Sequence, residues 1–380
     1  MDLDFTEEQE MLRNMARDFL KTECPKTVVR AMEKDEKGYS PEIWRKMAEV
    51  GLIGTPFPEE YGGTGYTLVE MAIVLEEIGR ALLPSPYVST VAVCGMAILS
   101  DGTEEQKKEF IPKIAQGEII LSLALTEPSA RYDADAIAVK ATADGGDFVI
   151  DGTKLFIHDA HIADYLLCVA RTKDGAKSEE GITLFLVNAK SPGITCTQLE
   201  DTIAKDKQFE VVFNKVKVSK DNILGELDKG WPLVQKIMTY GAIAECACML
   251  GGSHQVLEMS IAYAKERVTY GKPIGSYQQI QRYCVDILTD TDGSRYLTYQ
   301  AAWKLAEGFP CDMEVAKAKA WVSDAYQRVC FLGHQIFGGI GFTTDSDMGL
   351  FYVRAKRQEL NFGDADYHRE LVAQQLGLDP

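Results

Sequence analysis

Ile119-Ile-Leu-Ser-Leu-Ala-Leu-Thr-Glu-Pro128 is where the hydrophobic period of this chain changes. Before it, from Thr6 to about Leu99, apolar residues recur at one-face helical spacing, as in Leu12, Met15, Ala16 and Phe19. Thr6 with Gln9, and Thr103 with Gln106 ahead of Phe110 and Ile111, each predict a helix-opening capping box. Gly62-Gly-Thr-Gly65 reads as a loop between helices; no strand precedes it and no Lys-Ser/Thr follows, as a phosphate cradle requires. From Ile119 to about Leu224 the pattern becomes short β-rich runs at 148–150, 165–170, 182–187 and 211–218. Turns such as Asp144-Gly-Gly146 and Asp174-Gly175 separate them. After Trp231 helical spacing returns, with Met249, Val256, Leu257, Ile261 and Ala264 on one stripe. The expectation is an α+β chain, helical over 1–118, β over 119–225 and helical again over 226–380.

The chain has 380 residues with 46% hydrophobic content, enough for two or three cored domains. Its formal charge of −17 argues against nucleic acid or an anionic membrane as partner, because phosphate binding depends on clustered cations. No apolar run approaches the roughly 20 residues of a membrane span, and Met1-Asp-Leu-Asp-Phe5 is acidic where a secretory signal is basic. A cytoplasmic location is the expectation. The nine cysteines include no CxxC pair, which points to reduced, buried thiols rather than metal ligands or disulfides.

Four stretches, in order and across essentially the whole chain, resemble the FAD-dependent acyl-CoA dehydrogenase family. They are Leu121 to Pro128, Gly152-Thr-Lys-Leu-Phe-Ile157, Arg267-Val-Thr-Tyr-Gly-Lys-Pro-Ile-Gly-Ser-Tyr-Gln278 and Gln335-Ile-Phe-Gly-Gly-Ile-Gly-Phe342. The resemblance implies a middle β-barrel or sandwich domain, a C-terminal four-helix bundle, and FAD where the β domain meets the C-terminal helices. It implies flavin contacts from Leu125, Thr126, Phe156, His158 and Asp364, although His158 beside Asp159 also reads as a satisfied loop histidine. Arg267, Tyr270, Gln278, Gln335, Gly338 and Gly339 are implied to reach the flavin's diphosphate and adenosine, part of them from a neighbouring subunit, hence a homotetramer. An acyl-CoA substrate and an electron-transferring flavoprotein partner follow from the same resemblance. Ser89, Thr90, Tyr132, Tyr240, Gly241 and Phe362 are the implied substrate wall, and Arg131 a candidate for a CoA phosphate.

One segment departs from the family. Glu359-Leu-Asn-Phe-Gly-Asp-Ala-Asp-Tyr-His-Arg369 is similar to a stretch that commonly reads tyrosine, glutamate, glycine, threonine, and the glutamate position here is Phe362. That glutamate removes a proton while flavin takes a hydride, which phenylalanine cannot do. The site of an alternative glutamate in one subgroup falls on Gly241, so it too lacks a carboxylate. Glu245 lies four residues on, one helical turn along the same face, among Ala, Ile, Cys and Met. It is either a relocated base or half of a buried ion pair. Asp364 and Asp366 read as helix-capping or backbone-orienting acids. A base displaced along the pocket would take its proton beyond the usual carbon pair, and Gly241 with Ala242 leaves room for a bulky or alicyclic acyl group. The alternatives are a base-lacking subunit of a heteromeric dehydrogenase and a binding protein that has lost flavin.

Overall fold

The computed structural model describes residues 4–173, 177–200 and 207–378; the expected turn at Asp174-Gly175 lies outside them. The helices in chain order are α1 (Glu7–Glu23), α2 (Lys26–Met32), α3 (Pro41–Glu49), α4 (Leu68–Ala81), α5 (Met96–Asp101) and α6 (Glu104–Ala115). After the β region come α7 (Trp231–Glu266), α8 (Gln278–Ala306), α9 (Asp312–Phe337), α10 (Met348–Leu360) and α11 (Ala365–Gln375). The chain divides into two compact units that cut across this order.

The first unit comprises residues 1–31, 67–83 and 242–380. Thr6 opens α1 with the expected capping box, its hydroxyl accepting from Gln9 N at 3.2 Å while Gln9 Oε1 accepts from Thr6 N at 3.0 Å. The buried stripe of α1 is Leu12, Ala16 and Leu20. Met15 is exposed and Phe19 only half-buried, because a strict four-residue step, not the mixed spacing read from sequence, faces the core. α4 is buried almost all round, including Glu70, Glu76 and Glu77. Each acid has a partner: Glu70 takes Gln9, Glu77 takes Arg17 with both oxygens, and Glu76 accepts from Tyr299 at 2.6 Å. α4 and α7 meet backbone to backbone. A Cβ on Gly79 would stand 1.9 Å from Cys248 O, and one on Gly251 1.7 Å from Glu76 O.

α7 corrects one expectation. By length and composition it could cross a membrane, with a mean hydropathy of 1.2 over its most apolar window, but 83% of that window is buried inside the protein. It is a core helix.

The second unit comprises residues 32–66 and 84–241. The Gly62–Gly65 loop follows a short turn of 3-10 helix at Glu59–Tyr61, and Thr103 caps α6 with the second predicted box. Val88–Gly95 is a stretch of π-helix. The sheet has β1 (Leu121–Ala124), β2 (Lys140–Asp144), β3 (Asp147–His158), β4 (Tyr165–Arg171), β5 (Ile182–Asn188), β6 (Ile194–Gln198), β7 (Gln208–Val218) and β8 (Ile223–Leu224). Its order is β6-β7-β3-β2-β4-β5-β8, with β1 parallel to β4. Its core holds Ile150, Cys168, Phe185, Val211 and Phe213, all essentially without solvent contact. The four apolar runs read from sequence are β3, β4, β5 and β7. β2 and β6 escaped notice because β2 buries one residue of its five and β6 none, so no hydrophobic run marks them.

All nine cysteines are free, Cys196 being exposed and Cys284 half-buried. Among the described residues no group of three or more His, Cys, Asp or Glu is placed to hold a metal ion.

Candidate active site

The β unit holds a buried ion pair beside residues that the resemblance names. Lys154 on β3 has no solvent contact and donates to Leu125 O at 2.9 Å and to Glu127 Oε1 at 2.7 Å. Glu127 also accepts from the backbone N–H of Ala138 and Val139, so the loop after β1 is fixed from two sides. Leu155 N donates to Thr126 O at 2.9 Å. Thr126 is thereby held beside the strand that carries Phe156.

Phe156 sits where the β3–β7 register slips between Lys154 and Ile157, with φ of 59°. A bulky residue in the left-handed region costs on the order of 1–3 kcal/mol and persists only where its surroundings enforce it. The bulge leaves the ring 43% exposed, between half-buried Leu155 and buried Ile157. Three residues named from sequence are thus brought together: Leu125, Thr126 and Phe156. His158 ends β3, its Nε2 3.2 Å from Gln208 Nε2 and its carbonyl accepting from Ser122 Oγ, which suits the reading of a histidine satisfied locally.

Two residues of the expected substrate wall already have hydrogen-bond partners in this unit. Thr90 is fully buried, its hydroxyl donating to Leu121 O at 3.0 Å and accepting from Leu121 N at 3.1 Å. It clips the π-helix to β1. Ser89 donates to Pro86 O and to Asp159, a residue itself held at φ of 59°. Arg131 is ion-paired with Asp133 at 2.6 Å, and Tyr132 beside it is half-buried.

In the helical unit the other residues expected at the cofactor, Asp364 apart, lie on the surface. Arg267 precedes a small hairpin of β9 (Val268–Thr269) and β10 (Lys272–Pro273), whose tip residue Tyr270 is 94% exposed with φ of 51°. Tyr277 OH donates to Thr269 O and Lys272 Nζ lies 4.3 Å from the Tyr277 ring centroid, bracing the hairpin against Gln278 at the start of α8. Gln335 is exposed near the end of α9. Gly338 and Gly339 follow, and nothing stands within 4 Å of where their side chains would be, so a ligand can approach the bare backbone. Tyr263 stacks on Phe337 with centroids 4.4 Å apart, which draws this turn and the Arg267 hairpin together. Open glycine backbone and an exposed arginine, both in the helical unit, suit the dinucleotide arm of a flavin cofactor.

The segment from 359 to 364 is clamped. Lys319 on α9, without solvent contact, donates to Glu359 O at 2.8 Å, Gly363 O at 2.7 Å and Ser323 Oγ at 3.2 Å. Its burial pushes its pKa down, against nearby Cys246, Glu245, Glu359 and Asp364, which raise it. His368 Nε2 donates to Phe362 O at 2.9 Å, and desolvation lowers the imidazole to about 4. Held in this way, half-buried Phe362 adopts φ of 56° and Gly363 φ of 91°. Asp364 caps α11, accepting from Tyr367 N at 2.8 Å, the capping role its position suggested.

Tyr240 and Gly241 are buried along α7. Glu245, further along the same helix, is 4% exposed and accepts at Oε1 from Asn361 Nδ2 at 2.8 Å. The structure therefore joins the carboxylate of α7 to the residue next to Phe362. Sequence reading had named Glu245 and Phe362 but not Asn361, Lys319, His368, Lys154 or Glu127. Lys319 sits within an ordinary helical pattern, and nothing local marks a lysine that will be buried.

Family models for the acyl-CoA dehydrogenase N-terminal, middle and C-terminal domains match residues 6–118, 122–216 and 228–377. The chain is 33% identical to the 3-(aryl)acrylate reductase of Clostridium sporogenes, over 98% of this chain and 99% of that protein. It is 31% identical, over 92% of each, to CarC of Acetobacterium woodii, a subunit of the caffeyl-CoA reductase-Etf complex. The solved butyryl-CoA dehydrogenase of Megasphaera elsdenii aligns with a TM-score of 0.92 at 31% identity, covering 99% of this chain and 100% of that one. With its three domain models and its relatives in agreement, this chain belongs to the acyl-CoA dehydrogenase family of FAD-dependent oxidoreductases.

Proposed function

We propose that this chain dehydrogenates an acyl-CoA thioester with Glu245 as the base, in place of the residue at 362. The observation that carries the reading is the hydrogen bond from Asn361 to Glu245, which ties the α7 carboxylate to the segment that resembles the family's glutamate stretch. In the forward step a Glu245 oxygen takes a proton from carbon, and the electrons of that C–H bond form the new double bond as a hydride leaves the neighbouring carbon. Bound FAD supplies the hydride acceptor. Lys319 and His368 hold the backbone of the 359–363 segment still, and Phe362 offers an apolar wall. In the reverse direction, which the reductase names of two relatives bring into scope, protonated Glu245 returns the proton.

The acyl group is tested directly. Butyryl-CoA, named for the Megasphaera protein, stands in a panel against branched and alicyclic esters, for which Gly241 and Ala242 leave room. Anaerobic titration of the purified protein should bleach the flavin with at least one ester, and Glu245→Gln should abolish that bleaching. A Glu245→Gln variant that turns over every such ester at the wild-type rate removes the proposal. Phe362 favours one second reading, a base-lacking subunit whose partner supplies the carboxylate; it predicts bound flavin without bleaching until the partner is added.

CarC's membership of an Etf complex supports an electron-transferring flavoprotein as the electron acceptor. Exposed Val285, Leu288, Tyr296 and Trp303 on α8, with Trp321 and Phe331 on α9, support assembly into a homotetramer. Free thiols throughout support a cytoplasmic location.

A further inference from the structure

Asn361 follows the last turn of α10 in an extended conformation, with φ of −68° and ψ of 134°, and meets Glu245 through its side-chain amide. The carbonyls around it are already bound: Glu359 O and Gly363 O by Lys319, Phe362 O by His368. The amide is therefore presented from a fixed platform, and little of its freedom remains to be lost when it engages a carboxylate. An amide N–H donated to a carboxylate oxygen favours the ionised form, the form a base must have before it takes a proton.

We propose that Asn361 is the positioning residue of Glu245: its amide holds Oε1, fixes the rotation of the carboxylate within an apolar helix face and leaves Oε2 for the substrate proton. The inference rests on the reading of Glu245 as the base. It assigns a task to a side chain that neither the resemblance nor the sequence pattern singled out, and it explains how a carboxylate on α7 is steadied beside Phe362.

Other charges face this carboxylate. Lys319 comes from α9, and Arg354 and Arg357 from α10 act with Glu245 on Cys248. On α7 itself, burial pushes the Cys246 thiol up to about 12 and Cys248 well above its ordinary value, so both stay neutral. Glu359, Asp364 and His368 surround Lys319. These groups are common to wild type and to variants at Asn361, so a difference between their pH profiles reports on the amide.

The test is anaerobic stopped-flow reduction of the flavin by the most effective ester of the panel, across about pH 5 to 9, for wild type, Asn361→Ala, Asn361→Asp and Glu245→Gln. Loss of one charge-assisted hydrogen bond should lower the limiting reduction rate of Asn361→Ala about tenfold and move its acid limb up by about one pH unit. Its KM should stay within about twofold, because the amide acts on the base and not on ground-state binding. Asn361→Asp, nearly isosteric, places a second negative charge beside Glu245 and should move the limb further in the same direction. A generally loosened protein would lose rate without a directed shift of the limb. The inference is overturned if both Asn361 variants keep the wild-type acid limb while Glu245→Gln is inactive. If Glu245→Gln reduces its flavin at the wild-type rate, the reading of the base has failed, and the inference falls with it.

Discussion

Lys319 and Gly363 are joined by a 2.7 Å hydrogen bond from an ammonium without solvent contact to a main-chain carbonyl, across two helices and the turn between them. The same ammonium reaches Glu359 O, so a single side chain closes both ends of the turn that carries Phe362. Replacing it should free that turn. Lys319→Met fills similar volume but leaves two buried carbonyls without their donor, a loss of about 1–3 kcal/mol for each such group. Thermal and denaturant unfolding of the flavin-loaded protein should show the drop, and flavin reduction should slow at the same time.

Phe362→Glu puts a carboxylate at the place where the family resemblance puts its base, on a backbone that Lys319 and His368 already hold in shape. The variant should accelerate flavin bleaching by a straight-chain ester, and should do so in a Glu245→Gln background as well. An unchanged rate in both backgrounds would mean that position 362 no longer faces the reacting carbons.

The buried imidazoles set an acid limit on stability. Desolvation is the first cause that lowers His368 and His254, each to about 4 from an ordinary value near 6.5. In the window between those values the unfolded chain binds protons that the folded chain refuses, so the contribution of each is complete above about 6.5 and falls away as pH drops toward 4. Each group contributes a slope of at most about 1.4 kcal/mol per pH unit. Denaturant midpoints measured from neutral to mildly acidic pH should fall, and His368→Gln should flatten the fall.

Gly251→Ala tests the helix crossing in the helical unit. Its new methyl group would stand 1.7 Å from Glu76 O, a main-chain atom that cannot turn aside as a side-chain tip would. Overpacking of this kind costs about 1–3 kcal/mol or more. Equilibrium unfolding should report it, and a variant as stable as wild type would show that the two helices can separate without loss.

The architecture was legible because its long elements announce themselves. Both capping boxes, the stripes of α7 and the apolar runs of β3, β4, β5 and β7 follow from period and polarity. β2 and β6 have too few buried positions to leave a pattern. At the site, Glu245 stood out as a lone acid in an apolar helix and Phe362 as a substitution in a recognisable stretch. The bonding of Thr90 was not legible, for a physical reason: a threonine hydroxyl in a helix can bond a neighbouring strand, and only tertiary contact reveals that use. Asn361, Lys319 and Lys154 act through partners 116, 44 and 27 residues distant in sequence, a separation that local pattern cannot bridge.

Gly79 and Glu76 of α4 lie against Cys248 and Gly251 of α7 main chain to main chain, a spacing that leaves no room for even a methyl group between the two helices. Glu245 thus inherits its compass bearing from a junction that carries no reactive group. Side chains along such a rod can be exchanged freely while the glycines at its crossing cannot, so the aim of the helix outlasts changes in the residues it carries.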